Sequence, residues 1–307
     1  MNKNILSEKI REIAKTEGFD ALGFASASKF TDYALIHSKR KDPKLSLPDA
    51  ETIIVAGIYI GGVTLPSWSN FWYGRTSRLY LSGYFLDIVE PLRPIVSYLR
   101  KDGYKAVICD SSTSEGSIIP LKLAAIRAGL GWQGKHSLLV TKKYGTFLAL
   151  GGIVTNAIIE HNTEEEPNRC TKCDRCQIAC PMGALNQQHV LNRAKCLSNQ
   201  LQTNCLTEEA QELMGNRVAD CEICQEVCPW NKKHLKNPLE TKLTISFRKN
   251  IEEWEALFYL PNLVKLTEEG YQEKFSRINT EIPYEVFYRN VKIALDKNRT
   301  SSIGAEG

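Results

Sequence analysis

Long hydrophobic runs are missing from this chain. Its best apolar stretch, Phe147–Ile153, contains two glycines and falls far short of the roughly 18 residues that cross a bilayer. The opening MNKNILSEKIREIAKTEGF is charged and amphipathic rather than an apolar leader, so no secretory signal is read there. An excess of one charge is missing too. The 39 basic and 35 acidic residues leave a net charge of +4, which permits contact with a polyanion but does not by itself argue for one. A cytoplasmic, monomeric chain without a membrane segment is expected. Cysteine, in contrast, is plentiful, with ten residues in 307. In a reducing compartment such cysteines point to metal binding or catalysis rather than to disulfides.

The length suffices for one large domain and a smaller one. Ile5, Ile10, Ile13 and Ala14 recur at helical spacing before a glycine stop at Gly18. Strands are read at ALGFA (21–25), TIIVAGIYI (52–60) and KAVIC (105–109). The second is almost wholly apolar, as a strand covered on both faces would be. Residues 79–100 have a helical pattern broken by two prolines, and LKLAAIRAG (121–129) reads as a helix ending in glycine. SLLVT (137–141) and TFLALGGIVTN (146–156) read as a hairpin. An α/β (α+β) domain over residues 1–160 is therefore expected. The acidic stretch EHNTEEEPN suits a linker opening a cysteine-rich domain over 161–235. A helical segment over 236–297 and a disordered tail over 298–307 complete the expected organisation.

The cysteines carry the chemistry. Cys170, Cys173, Cys176 and Cys180 precede Pro181 in the pattern C-x2-C-x2-C-x3-C-P, and Cys221, Cys224 and Cys228 precede Pro229. In bacterial ferredoxins the fourth cysteine of such a run ligates the other cluster. Closely spaced thiolates wrap a tight loop around one face of a cube, and the remaining corner must be reached from elsewhere. The proline turns the chain away without orphaning a donor. One 4Fe–4S cluster is thus assigned to Cys170, Cys173, Cys176 and Cys228. A second takes Cys180, Cys221 and Cys224 with either Cys196 or Cys205. Structural zinc prefers two separated Cys or Cys/His pairs, and neither His189 nor His234 completes one. Two clusters in one module form an electron wire fed by an external donor.

GLGWQG (129–134) spells a dinucleotide fingerprint, but a helix precedes it and a strand follows, the reverse of the order that motif requires. Its plainer reading is a helix stop and a tight loop. Its functional reading is that Gly129, Gly131 and Gly134 let the backbone approach a flat cofactor, with Trp132, Lys135 and His136 close by. Arg75 and Arg78, in FWYGRTSRLY, are candidates to face a phosphate or an amide-rich cofactor, beside ordinary packing roles.

AGLGWQGKHSLLVTKKYGTFLALGGIVTN (128–156), MGNRVADCEICQEVCPWN (214–231) and RNVKIAL (289–295) resemble, in this order, the epoxyqueuosine reductase family. A looser likeness reaches back through KDPKLSLPDAETIIVAGIYI (41–60) and GFDALGFA (18–25). The resemblance implies a nitroreductase-like cobalamin-binding domain, akin to that of reductive dehalogenases, followed by a ferredoxin-like module with two 4Fe–4S clusters. It implies reduction of the epoxide of epoxyqueuosine in tRNA, with electrons from a low-potential donor of flavodoxin or ferredoxin type. Gly129, Gly131, Trp132, Gly134 and Lys135 would bind the cofactor. The family's lone cysteine between the two runs matches Cys196 and leaves Cys205 spare. Opening an epoxide leaves an alkoxide, so an acid must supply a proton. Asp110, after a strand, takes the place of the family's aspartate, and Glu115 is the alternative by spacing. The family's Asp-x-x-Pro is absent, since the proline here is Pro120, and the stretch from Asp110 to Ala128 is longer than in the family. No D-x-H-x-x-G stretch occurs, so cobalamin would bind base-off without a protein histidine. The chain also stops short of the family's helical-repeat tail. Two other readings stand beside this one: a shorter paralogue acting on another substrate, and an electron-transfer protein with no substrate chemistry of its own.

Overall fold

Strand β2 (Thr52–Tyr59) is buried at every position, and the first part of the fold is arranged around it. In the computed structural model, which describes residues 3–31, 42–83, 85–109, 119–161, 164–275, 277–278 and 282–303, β2 lies inside a four-stranded sheet. The order is β1 (Ala21–Ser26), β2, β6 (Leu148–Thr155), β3 (Ala106–Cys109), and every pairing is antiparallel. An antiparallel sheet commonly leaves one face wet; here both are covered. On one side lie Leu123, Ala124 and Ile126 of α4 (Leu121–Arg127), which share a core with Ile53, Val55 and Val154. On the other, α1 (Lys3–Glu17) packs against α3 (Arg93–Lys101) through an apolar stripe that includes Leu6, Ile10, Ile95 and Leu99. Gly151 and Gly152 of β6 show how tight this is. A Cβ at Gly151 would stand 2.8 Å from Ile88, and one at Gly152 2.6 Å from Leu121.

The chain falls into two compact units that do not follow sequence order. One comprises residues 1–59, 87–134 and 138–171; the other comprises 60–86, 135–137 and 172–307. The second is built from short helices. These are α2 (Arg78–Ser82), α5 (Arg175–Ile178), α6 (Leu197–Leu201), α7 (Glu208–Leu213), α8 (Ile223–Glu226) and α9 (Lys232–Lys236). The C-terminal set follows as α10 (Lys242–Arg248), α11 (Ile251–Phe258), α12 (Leu260–Leu263), α13 (Glu268–Phe275) and α14 (Tyr284–Ile303). Trp254, Phe258, Tyr271, Phe275 and Phe287 form its aromatic core, with ring centroids 5.0–6.1 Å apart for the pairs in contact. Among the described residues no helix is long and apolar enough to cross a membrane.

Two expectations need correction. The hairpin expected between 137–141 and 146–156 is not formed by those strands. β5 (Leu139–Val140) pairs instead with β4 (Trp132–Gln133), while β6 pairs with β2 and β3. Turn residues 142–146 supplied a hairpin signal, but the long apolar β6 gains more by entering the middle of a sheet. Residues 298–303, expected in a disordered tail, continue α14. Asn298 holds them there, donating to the carbonyl oxygens of Phe71 and Ala294, the latter at 3.2 Å.

Gly131 allows a close approach that no other residue can make, because a Cβ there would lie 2.0 Å from the Val140 carbonyl oxygen. Gly131→Ala is expected to destabilise the protein by about 1–3 kcal/mol through overpacking, seen as a lower urea midpoint at an unchanged m-value.

Candidate iron–sulfur and cofactor sites

The two cysteine runs fold as a repeat. Cys173-Asp174-Arg175-Cys176-Gln177-Ile178-Ala179-Cys180-Pro181 matches Cys221-Glu222-Ile223-Cys224-Gln225-Glu226-Val227-Cys228-Pro229 position by position. Each run makes one helical turn, α5 or α8. Their N-caps share one backbone conformation, φ −129°, ψ 11° at Asp174 and φ −130°, ψ 22° at Glu222. Proline ends each run, and the two helices pack on each other. No disulfide joins any cysteine.

The thiols of Cys180, Cys196, Cys221 and Cys224 form one electrostatic group. Burial pushes the Cys224 thiol well up, and its neighbours Cys221, Cys196, Cys176 and Cys180 push the same way. Burial likewise raises Cys221, to about 11, and Cys196. Backbone N–H groups oppose these shifts: Ser198 and Asn199 donate to Cys196, and Ile223 to Cys221. Ala184 N donates to Cys180 Sγ at 3.3 Å. Cys196 is the N-cap of α6, so its sulfur sits where that helix's free amides point. Desolvated thiols aimed at by amides are poised to ionise once a cation arrives, and iron supplies that charge. Among the described residues no three His, Cys, Asp or Glu side chains converge tightly enough to hold a single metal ion. An all-thiol donor set with backbone amides aimed at its sulfurs fits an iron–sulfur cluster.

Cys205 stands apart from this group, exposed and beside Arg289. Cys176 and Cys228 are buried and Cys173 is half-buried. Cys170, near the end of the first unit, has its amide bound to Asn168 Oδ1 at 2.9 Å.

Sequence reasoning missed the charged strap that holds the second run. Arg78 clasps the buried Glu222, with its side chain on Oε1 and its amide on Oε2, the latter at 3.0 Å. Its Nε donates to the Gly61 carbonyl at 3.1 Å. Arg75 pairs with Glu226. Both guanidinium groups lie over Trp68, 5.6 and 5.7 Å from its ring. Ser77 donates to Asp220, which accepts the Cys221 amide at 2.7 Å. Burial raises both carboxyls, while Ser198, Ser77 and the Cys221 amide pull Asp220 back and Arg78 pulls Glu222 back. Arg75 and Arg78, read as candidates for a cofactor or phosphate, thus spend their charge on α8. The signal was the pair of acids inside Asp220-Cys221-Glu222, unusual neighbours for thiolates unless something neutralises them.

Helix α14 supports the group from behind. Buried Asn290, within RNVKIAL, donates to the carbonyls of Leu201 and Val218 at 2.7 and 2.8 Å. It thereby fixes the end of α6, whose first residue follows Cys196, against the segment leading to Cys221.

The glycine loop is a helix stop. Gly129 (φ 72°) closes α4, with Leu130 N on Ala125 O at 3.0 Å and Gly129 N on Ile126 O at 2.8 Å, the Schellman pairing. The β4–β5 hairpin follows, and Gly134 N bonds Leu138 O at 2.9 Å around its tip. Trp132 is buried. Lys135 is only 7% exposed, with no hydrogen-bond or ion-pair partner for its ammonium among the described residues, while its carbonyl accepts His189 N at 3.0 Å. A buried ammonium with no anion beside it fits a polar cofactor. The apolar pit beside Gly131, of about 190 Å³ and lined by Ala21, Leu130, Tyr144 and Leu148, is too small for one. Asp110 and Glu115 lie outside the described residues.

Residues 169–231 match a family model described as a 4Fe-4S double cluster binding domain. An epoxyqueuosine reductase of Lactococcus garvieae is 35% identical over 224 residues, covering 64% of this chain and 61% of that protein. The chain spans about three fifths of the length of the curated relatives it matches. A structure of epoxyqueuosine reductase from Streptococcus thermophilus superposes with a TM-score of 0.78 at 25% identity, over 94% of this chain and 80% of that one. An epoxyqueuosine reductase with an epoxyqueuosine-modified tRNA-Tyr stem loop gives 0.76 at 25% identity, over 96% and 82%. A reductive dehalogenase structure whose title concerns B12-dependent dehalogenation shares the fold alone, with a TM-score of 0.53 at 17% identity, over 82% and 36%. The likeness to epoxyqueuosine reductases read from the sequence holds in sequence and in fold, and so does the mixed helix-and-sheet class with a double-cluster module.

Two outcomes follow from this geometry. Cys196→Ser is expected to lose one cluster, roughly halving bound iron and the absorbance near 400 nm, whereas Cys205→Ser retains both; iron analysis of anaerobically prepared protein checks this. Arg78→Ala strands the Glu222 charge and is expected to cost about 3–5 kcal/mol in urea unfolding of the apoprotein. Adding Glu222→Gln should restore much of that loss.

Proposed function

We propose that this chain is an iron–sulfur, cobalamin-dependent reductase of epoxyqueuosine-reductase type, converting the epoxide of epoxyqueuosine in tRNA to the alkene of queuosine. The observation that supports this most is the presence, within one chain, of a double-cluster cysteine repeat and of Lys135, buried with no hydrogen-bond or ion-pair partner for its ammonium among the described residues. Cys170, Cys173, Cys176 and Cys228 hold one cluster, and Cys180, Cys196, Cys221 and Cys224 the other. Gly129, Gly131, Trp132, Gly134 and Lys135 hold cobalamin, base-off and without a protein histidine. When bound, cobalamin supplies a strongly reducing nucleophilic cobalt centre.

The residues of the chain have the remaining tasks. The balanced reaction takes epoxide, two electrons and two protons to alkene and water. Electrons enter one at a time from an external low-potential donor through the clusters. Asp110 or Glu115 protonates the oxygen released when the ring opens, since an alkoxide is a poor species to leave unprotonated in a site that excludes water. Lys135 offers a fixed positive charge near the cofactor, where negative charge accumulates. The enzyme works in the cytoplasm, where its tRNA substrate is found, as a monomer. A second reading keeps the cofactors and changes the substrate; the long stretch from Asp110 to Ala128, without Asp-x-x-Pro, favours it.

The test is incubation of anaerobic, cluster-loaded protein with cobalamin, a reductant and epoxyqueuosine-containing tRNA, followed by nucleoside mass spectrometry. Loss of one oxygen from the modified base is expected, and cobalamin added to the protein should change its visible spectrum on binding. Bound cobalamin with no conversion would favour the second reading; no binding would overturn both. Of Asp110→Asn and Glu115→Gln, one should lower turnover about 10²–10⁴-fold, and full activity in both variants would remove these acids from the mechanism.

A further inference from the structure

The internal repeat compares two helices of one build, and the comparison exposes a difference. At the N-cap and on α8, Glu222 and Glu226 are paired, the first with Arg78 and the second with Arg75. The matching positions beside and on α5 are Asp174 and Ile178. Nothing equivalent covers them: Asp174 is exposed and Ile178 is 75% exposed, more than any other large apolar side chain described. Arg175 and Ile178 lie three apart on the helix and so share a face. Arg175 and Lys172 are exposed and neither makes an ion pair among the described residues. Asp174 is the one acid between 171 and 180. Behind this face sit Cys176, in the helix itself, and Cys173 and Cys180 at its two ends.

We infer that the surface of α5 carrying Arg175 and Ile178, with the exposed Lys172 just before the helix, is the docking site of an acidic protein carrying a low-potential one-electron centre. The inference rests on the proposed reductase activity and adds to it the place and charge of its electron donor. An exposed isoleucine gains only when a partner covers it, and the free cations beside it select a partner of negative charge. Redox encounters are brief and use small interfaces, which a single helical turn can centre. Electron tunnelling requires nearness, and α5 carries Cys176 and is flanked by Cys173 and Cys180; α8 is built alike, but Arg75 and Arg78 are bound to its acids. A polyribonucleotide would use the cations but gain nothing from Ile178. At each encounter the donor is oxidised by one electron and a cluster is reduced by one; two encounters supply the pair of electrons that the epoxide consumes.

The experiment uses cluster-loaded protein without cobalamin or tRNA, so that it reads donor docking alone. Cluster reduction is followed by bleaching near 400 nm with reduced flavodoxin, an acidic carrier, as the probe, and separately with dithionite, which needs no docking site. In Arg175→Glu and in Ile178→Asp the second-order rate with flavodoxin is expected to fall at least about tenfold at low salt, the range of electrostatic steering. The wild-type rate should fall as salt rises, while the dithionite rate stays unchanged in every variant. A flavodoxin rate unchanged in both variants would overturn the docking site and leave the reductase reading intact. A wild-type protein that assembles no clusters would overturn both. Fluorescence anisotropy with a tRNA stem loop separates the other occupant: RNA affinity lost in the variants at an unchanged flavodoxin rate would give this face to RNA and end the proposal.

Discussion

Thiols gathered out of water cannot all ionise unless something positive joins them, and much of the second unit answers that constraint. Burial holds Cys196, Cys221 and Cys224 in the neutral form. Amides from Ser198 and Asn199 on Cys196, and from Ile223 on Cys221, make those sulfurs readier to ionise without adding a mobile charge. Such a group is a weak scaffold when empty and a strong one when loaded, because its own repulsion is what the metal relieves.

The carboxylates beside it pose the opposite difficulty. Asp220 and Glu222 bracket Cys221, and both are buried. A bare carboxylate there would oppose a second anion next door. Arg78 neutralises Glu222, and Ser77 with the Cys221 amide solvates Asp220. Residues 60–86 therefore belong to the cysteine module physically, although they precede it by some distance in the chain. The two helices of the repeat part ways on this point. One has its outer face bound by arginines, and the other shows an isoleucine and unpaired cations to solvent.

Much of this was legible in the linear order of residues. The all-apolar TIIVAGIY is a strand buried on both faces, because no other element hides every side chain of so short a run. The run from Cys170 to Pro181 declared a cluster loop by spacing alone, and the order of helix before the glycines and strand after them is the order the structure has. Other features gave no local sign. The strand at 132–133 is too short to leave a period, and the hairpin was therefore assigned to the wrong partner. Arg75 and Arg78 looked free because their carboxylates lie well over a hundred positions away. Asn290 carries no local sign that its amide donates to two carbonyls from separate segments.

By itself, then, the sequence determined whatever depends on neighbours along the chain: helix and strand runs, the cluster-type cysteine spacing, the glycine stop after α4. Those properties follow from backbone geometry over a few residues. Tertiary structure alone decided which arginines are spent on buried acids and which face of the repeat stays open. Each of these is a matter of long-range charge and desolvation, whose energies depend on distance in space and carry no mark of distance along the chain.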